Sequence, residues 1–227
     1  MSDVLQLVEK IRSDLKPLEE RISSHLYLKA IEEGRVPLDL LKVFAGQQYH
    51  IISSDLRSIA LILSREGMRP SRRFLMNILQ GEAAALDAIH VFARALGLNM
   101  SDLESLEPLP AAHAYCAFVA WLALYGSDAE LAGAFLVNIP AWGANCGRMR
   151  TAFHEKYGLA PSALAFFDLF AGMPSFEQEV LIIIQNALDR SIPARLIRRA
   201  ARMLQGYELM FWDAMADAAS IRPERGE

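Results

Sequence analysis

Apolar residues recur every three to four positions along almost the whole chain, and the strict alternation that marks half-buried strands is scarce. The pattern predicts an all-α protein. Pro17 is placed to separate an opening helix from a second over roughly 17–33, which Gly34 caps. Pro37-Leu38-Asp39 opens a long helix over about 38–65 that stops near Gly67 and Pro70, and another runs from about Ser71 to Gly97. Ser101 and Glu104 have the spacing of a capping box before a short turn of helix. Pro108 and Pro110 precede "AAHAYCAFVAWLALYG", a strongly apolar helix ended by Gly126. Ser127 and Glu130 form a second capping box, starting a helix that must hold Pro140 in its interior and is expected to kink there. Shorter helices follow over about 162–171 and 175–190, the latter started by Ser175 with Gln178. A closing helix over about 193–219 begins after Ser191 and Pro193. No Gly/Ser-rich linker, internal repeat or low-complexity tract divides residues 1–227, so one helical domain is expected.

Composition narrows the function classes. With 227 residues, 53% of them hydrophobic, the chain has material for one large core. A net charge of −4 gives no general affinity for nucleic acid or acidic membrane. Two cysteines, Cys116 and Cys146, lie far apart and outside any CxxC spacing, against both a disulfide scaffold and a cysteine-rich metal knot. The start "MSDVLQLVEKIRSDL" lacks the basic end and apolar run of a signal peptide. The longest apolar stretch, around Ala114–Leu124, is shorter than the roughly 20 residues a bilayer requires. The expectation is a cytoplasmic protein with a small-molecule ligand and no nucleic-acid or membrane partner.

Several motifs then fall into a recognisable order. "SHLYLKAIEEGRVPLDLLKVFAGQQYHII" resembles the opening of TenA-type proteins, the thiaminase II family, with His25-Leu26-Tyr27, Gly34-Arg35-Val36 and Gln47-Gln48-Tyr49 in the places of its motifs. "ILQGEAAALDAIHVFARALGL" is similar to the family's next core helix, and "HAYCAFVAWLALYGSDAELAGAFLVNIPAW" to the stretch that reaches its Pro-Cys site. "GYELMFWDAM" resembles its closing Tyr-Glu-Xaa-Xaa-Phe-Trp motif. The resemblance covers almost the whole chain and implies a heme-oxygenase-like multi-helix bundle that assembles as a homodimer or homotetramer.

It also implies a site. Thiaminase II-like members hydrolyse aminopyrimidines with a cysteine nucleophile, a glutamate for proton transfer, and an aspartate and tyrosines that hold the ring. Displacement at a heteroaromatic carbon needs those three functions. By this resemblance the aspartate becomes Gln48, a tyrosine becomes Ile51, the residue after the proline is Ala141 where the cysteine belongs, a further tyrosine becomes Asn145, and the tyrosine of the short helix becomes Phe170. Only the closing glutamate is retained, as Glu208. Cys146 lies five residues past Ala141, about 140° round a helix, and is a poor substitute nucleophile. The implied pocket is an enclosed one for a small, pyrimidine-type heterocycle, lined by Gln48, Ile51, Asn145, Phe170, Tyr207, Phe211 and Glu208, with Glu208 the one catalytic candidate and no cofactor or metal.

On a helical wheel Tyr207, Leu204, Met210, Phe211 and Met215 share an apolar arc, and Glu208 falls just outside its edge. Burial there would raise its pKa and suit it to proton transfer; the plainer alternative is a boundary carboxylate that reaches solvent or an arginine. Two other function classes stay open. A di-iron oxidase of the same fold would draw on His50, Glu82, Asp87, His90, His113, His154 and Glu208, with Asp87 and His90 at a legitimate i, i+3 ligand spacing. A non-catalytic binding or regulatory protein needs none of these. For heme, the helix before Gly34 offers Glu19 where a histidine is needed, with His25 closer to the turn. Arg195, Arg198, Arg199 and Arg202 share one face of the closing helix, and Arg69, Arg72 and Arg73 gather near a helix start; such faces are ordinarily solvated or paired.

Overall fold

A computed structural model describes residues 2–67 and 69–222. Among them are ten α-helices and one 3-10 turn, Pro161–Ala163, with no strand. The helices are α1 Ser2–Ser23, α2 Leu26–Glu32, α3 Leu38–Glu66, α4 Arg72–Ala95, α5 Met100–Ser105, α6 Pro110–Tyr125, α7 Asp128–Glu155, α8 Ala165–Ala171, α9 Glu177–Asp189 and α10 Ala194–Ala218.

Their ends follow local chemistry. Gly34 (φ +70°) sits just past α2 in the left-handed region and its N–H donates to the Ile31 carbonyl at 3.0 Å. The Ser127–Glu130 capping box starts α7: Glu130 N donates to Ser127 Oγ at 3.3 Å, and Ser127 N to Glu130 Oε2 at 2.9 Å. The box expected at Ser101 and Glu104 forms two residues earlier. Asp102 N donates to Asn99 Oδ1 at 3.1 Å, and Asn99 N to Asp102 Oδ2 at 2.8 Å. Ser175 makes only a 3.4 Å contact with Glu177 N, and no side chain caps α9. Ser191 (φ 64°) terminates α9 instead of opening α10: its N–H donates to the Leu188 carbonyl at 2.9 Å.

Two prolines meet different expectations. Pro17 does not divide helices; α1 runs through it and the break falls after Ser23, where His25 caps α2. An interior proline costs about 3 kcal/mol. Here the apolar stripe Val4, Val8, Ile11, Leu15 and Ile22 is buried against α10, α7 and α9, which outweighs it, and Pro17 faces solvent. Pro140 also lies inside a continuous helix, α7, on an exposed position.

α10 is the axis of the bundle, packed by α7 and α6 and, less extensively, by α1, α2 and α3. α3 lies between α4 and α6, and α8 closes against α7 and α4. Two apolar clusters fill the interior. One is rich in aromatic rings, with Phe92 and Phe167 each packed against Phe44, Phe153 and one another at 5.0–6.5 Å between ring centres. The other gathers aliphatic side chains of α1, α7, α9 and α10. No described helix is long and apolar enough to cross a membrane.

Being contacted on several sides widens the buried sector of α10. It takes in Leu204, Gln205, Glu208, Leu209, Phe211, Trp212 and Met215, while Met210 is exposed and Tyr207 half-buried. Glu208 therefore stands inside the buried face, not at its edge.

Candidate functional site

A cavity of about 1210 Å³ lies among α3, α4, α6, α7, α8 and α10. Its inner end is buried, with Ile51, Phe211 and Glu208, and the exposed residues Arg73, Asn77 and Leu169 stand at its outer rim. The expected enclosed pocket is thus a cleft with a deep end.

Glu208 is 3% exposed and both its carboxyl oxygens accept hydrogen bonds. Trp212 Nε1, one turn along α10, donates to Oε1 at 3.2 Å. Asn138 Nδ2 of α7 donates to Oε2 and, at 2.8 Å, to Gln205 Oε1. Tyr115 of α6 completes the network, its hydroxyl donating to Asn138 Oδ1 at 2.7 Å. Burial pushes the Glu208 pKa up to about 8, against the opposing effect of its Trp212 and Asn138 donors. No arginine reaches it. Near neutral pH it is mainly the neutral acid. Both carboxyl oxygens thus receive N–H donors, and the residue lines the cavity.

The structure brings Gln48, Ile51, Phe170, Phe211 and Glu208 to the cavity, and leaves two expected residues outside it. Asn145 is buried on the same face of α7 but two turns past Asn138; Trp142 stands between them, its rings 5.6–6.1 Å from those of Trp212, Phe170 and Phe211. Tyr207 precedes Glu208 by one position, about 100° away, and packs its ring 5.4 Å from Phe118 of α6. The residue that opposes Glu208 on α7 is Asn138, not Ala141, which lies three residues further on and does not line the cavity. The resemblance calls for the thiol at Ala141, whereas the α7 side chain that meets Glu208 is the amide of Asn138.

Neither cysteine lines the cavity. Cys146 is fully buried and its thiol is held well above its usual pKa by burial and by Glu208. Burial pushes Cys116 up to about 12. Neither supplies a thiolate at neutral pH.

Sequence reasoning missed Asp55, Tyr115 and Asn138. Asp55 sits one turn beyond Ile51 and two beyond Gln48 on α3, so the helical period itself could have pointed to it. Of the metal candidates, Glu82 and Asp87 line the cavity, His50 Nε2 donates to the Leu106 carbonyl at 2.5 Å, and His90 packs its ring 5.7 Å from Tyr49. Among the described residues no three of His, Cys, Asp and Glu come close enough to hold one ion. His25 is engaged as the α2 cap, accepting from Tyr27 N at 3.2 Å and meeting Asp213 at 3.1 Å. Of the arginine faces, Arg199 lies 5.6 Å over the Trp121 ring and 3.7 Å from Glu130. Arg69 pairs with Glu66, and Arg73 with Glu179 at 3.4 Å.

The all-α bundle around this cleft has the heme-oxygenase-like architecture of solved structures that superpose on it. The family model TENA/THI-4/PQQC matches residues 12–218, and the chain belongs to that family. Among solved structures, a TenA homologue from Pseudomonas syringae pv. tomato superposes with a TM-score of 0.79 at 16% identity, covering 92% of each chain. A TenA homologue from P. horikoshii gives 0.72 at 18% identity, covering 93% of this chain and 99% of that one. Heme oxygenase-1 from the cyanobacterium Synechocystis, in complex with heme, gives 0.68 at 14% identity, covering 93% and 91%. These likenesses establish the fold. A search of curated proteins found no match.

Proposed function

We propose that the chain is a TenA-family protein whose cleft binds a small planar heterocycle, with Glu208 donating its proton to a ring nitrogen or leaving group and with no thiol chemistry. The observation that carries this is the Glu208 carboxyl group: buried, neutral near pH 7, held through both oxygens by Trp212 and Asn138, and lining the cleft. An acid poised near neutrality is suited to general acid–base work, and pre-set donors hold it in one orientation. Gln48 supplies an amide on the same cleft, and Phe170, Phe211 and Trp142 supply aromatic faces against which a flat ring can stack.

With Asn138 opposite Glu208, ordinary thiaminase II hydrolysis lacks its nucleophile. Any retained activity would be direct attack by water, with Glu208 managing the proton. The lack of a cysteine on the cleft favours, as second reading, a ligand-binding protein without catalysis. A di-iron oxidase finds no ligand set of three among the described residues. For assembly as a homodimer or homotetramer, the supporting surface is the aromatic face of α6, where Trp121 (39% exposed), Leu124 (51%) and Tyr125 (72%) stand outward.

A thermal-shift screen of aminopyrimidines and other neutral heterocycles tests the proposal. A ligand at a hundred times its Kd stabilises the fold by about 2.7 kcal/mol. Stabilisation of the wild type that is largely lost in Glu208→Gln is expected. No response to any heterocycle, or an equal response in the variant, would overturn the role given to Glu208.

A further inference from the structure

The cleft wall carries six carboxyl groups, Asp55, Glu82, Asp87, Asp168, Glu179 and Glu208, against one cationic side chain, Arg73. The balance is more lopsided than that count. Arg73 is taken up by Glu179 at 3.4 Å, and Asp168 is paired outside the cleft with Arg150 at 3.0 Å. Asp55, Glu82, Asp87 and Glu208 have no ion-pair partner among the described residues. Glu208 is satisfied by the amide and indole donors already described. Asp55 is not. It lies in the middle of α3, 3% exposed, and its Oδ1 has no hydrogen-bond partner although it lines the cleft. A buried acceptor left in that state is destabilising, and no group among the described residues bonds it.

Glu82 of α4 lines the same cleft, α4 packs directly against α3, and Glu82 acts electrostatically on Asp55, as both acids do on Tyr115. Two neighbouring carboxyl groups with no internal counter-ion form a receptor for positive charge. A metal ion is a poor occupant, because no third His, Cys, Asp or Glu among the described residues comes close enough to complete its ligands. An organic cation bearing N–H donors fits better. It brings charge and hydrogen bonds together, and an amidinium matches a carboxylate through two parallel N–H donors. The lining rings of Tyr115, Phe135 and Phe211 offer aromatic faces to such a group.

The geometry points to Asp55 and Glu82 as a cation subsite, so that the ligand carries a protonated amine or amidinium in addition to the neutral ring served by Glu208. This rests on reading the cleft as a heterocycle site and extends it to the charge of the ligand. Asp55, Glu82 and Glu208 lie on three different helices, α3, α4 and α10, around the one cleft.

Benzamidine and its neutral counterpart benzamide, nearly equal in shape, make the direct test by calorimetry on the full chain. Wild type is expected to bind benzamidine about tenfold or more tightly than benzamide, the difference between a charge-assisted and a neutral hydrogen bond. Asp55→Asn and Glu82→Gln, each close to isosteric and on separate helices, should bind the two probes alike. Equal binding by wild type, no binding of either probe up to millimolar concentration, or an undiminished preference in both Asp55→Asn and Glu82→Gln would overturn the subsite. That last set of results is the one expected if the two acids merely share a proton with each other. Glu208-dependent binding of neutral heterocycles without a benzamidine preference would sink the subsite alone. Asp55-dependent benzamidine binding without any heterocycle response would instead sink the role of Glu208.

Discussion

Replacing Glu208 by glutamine should flatten part of the dependence of stability on pH, and the size of the effect follows from burial. The group titrates near pH 8 in the folded protein against 4.5 for an unperturbed glutamate. Because the folded value is raised, the neutral acid favours the folded state: its contribution is complete below about pH 4.5, declines as pH rises, and is gone above about pH 8. Each pH unit inside that window changes stability by about 1.4 kcal/mol, so the whole interval amounts to on the order of 5 kcal/mol. Between pH 5.5 and 7.5 the wild type should therefore lose roughly 3 kcal/mol through this one residue. Glutamine never ionises. It can keep the network if the Asn138 and Gln205 amides turn over, and Gln205 Nε2, which has no partner, is then put to use. Urea unfolding of both proteins at several pH values measures the effect as a difference, in which the other titrating groups, Asp55 and Glu82 included, largely cancel. The gap between variant and wild type should shift in the variant's favour by about 1.4 kcal/mol per pH unit. Parallel curves across this range would mean that Glu208 is ionised in the folded protein, and the proton-donor role would fall with it.

Three further outcomes test the packing around the site. Trp212→Phe removes the indole donor that holds the Glu208 pKa down, so the same pH window should extend above 8, and the lost hydrogen bond and volume should lower stability by about 1–3 kcal/mol. Gly143→Ala would place its Cβ 2.6 Å from the Phe170 backbone oxygen, forcing α8 away from α7; a loss of about 1–3 kcal/mol and weaker heterocycle binding are expected in chemical unfolding and thermal-shift assays. Gly206→Ala on α10 meets nothing within 4 Å and should instead stabilise by about 0.5–1 kcal/mol, so an equal loss in both variants would refute the close-approach explanation. Trp121→Glu, on the exposed aromatic face, should yield smaller particles in light scattering without changing the melting point of the monomer; a wild type that is itself monomeric would refute the homo-oligomer expectation.

Much of the architecture was legible from spacing. The long helices at residues 38–66 and 72–95 and the closing helix at 194–218 stand close to where the apolar period puts them, because a helix that must bury one face advertises it every three to four residues. The exceptions are local contests settled by distant partners. Pro17 reads as a break, but docking of the α1 stripe keeps that helix whole. The site divides in the same way. Glu208, Phe211, Phe170, Gln48 and Ile51 could be placed by motif and period, whereas Asn145 and Tyr207 missed the cleft by a turn or by about 100°. A one-residue change of position on a helix turns a side chain to another neighbour, and the linear sequence does not say which neighbour is there.

The sequence by itself therefore determined that this is a helical bundle with a retained glutamate among aromatic residues and no cysteine beside the proline. Only the tertiary structure decided that Asn138 faces that glutamate, that Tyr115 and Trp212 complete its network, and that Asp55 and Glu82 share the cleft without a counter-ion. The reason is range. Helix formation follows from interactions three and four residues apart, whereas the pairs that define this site lie between 23 and 70 residues apart in the chain, Trp212 excepted, and meet only once the bundle has closed.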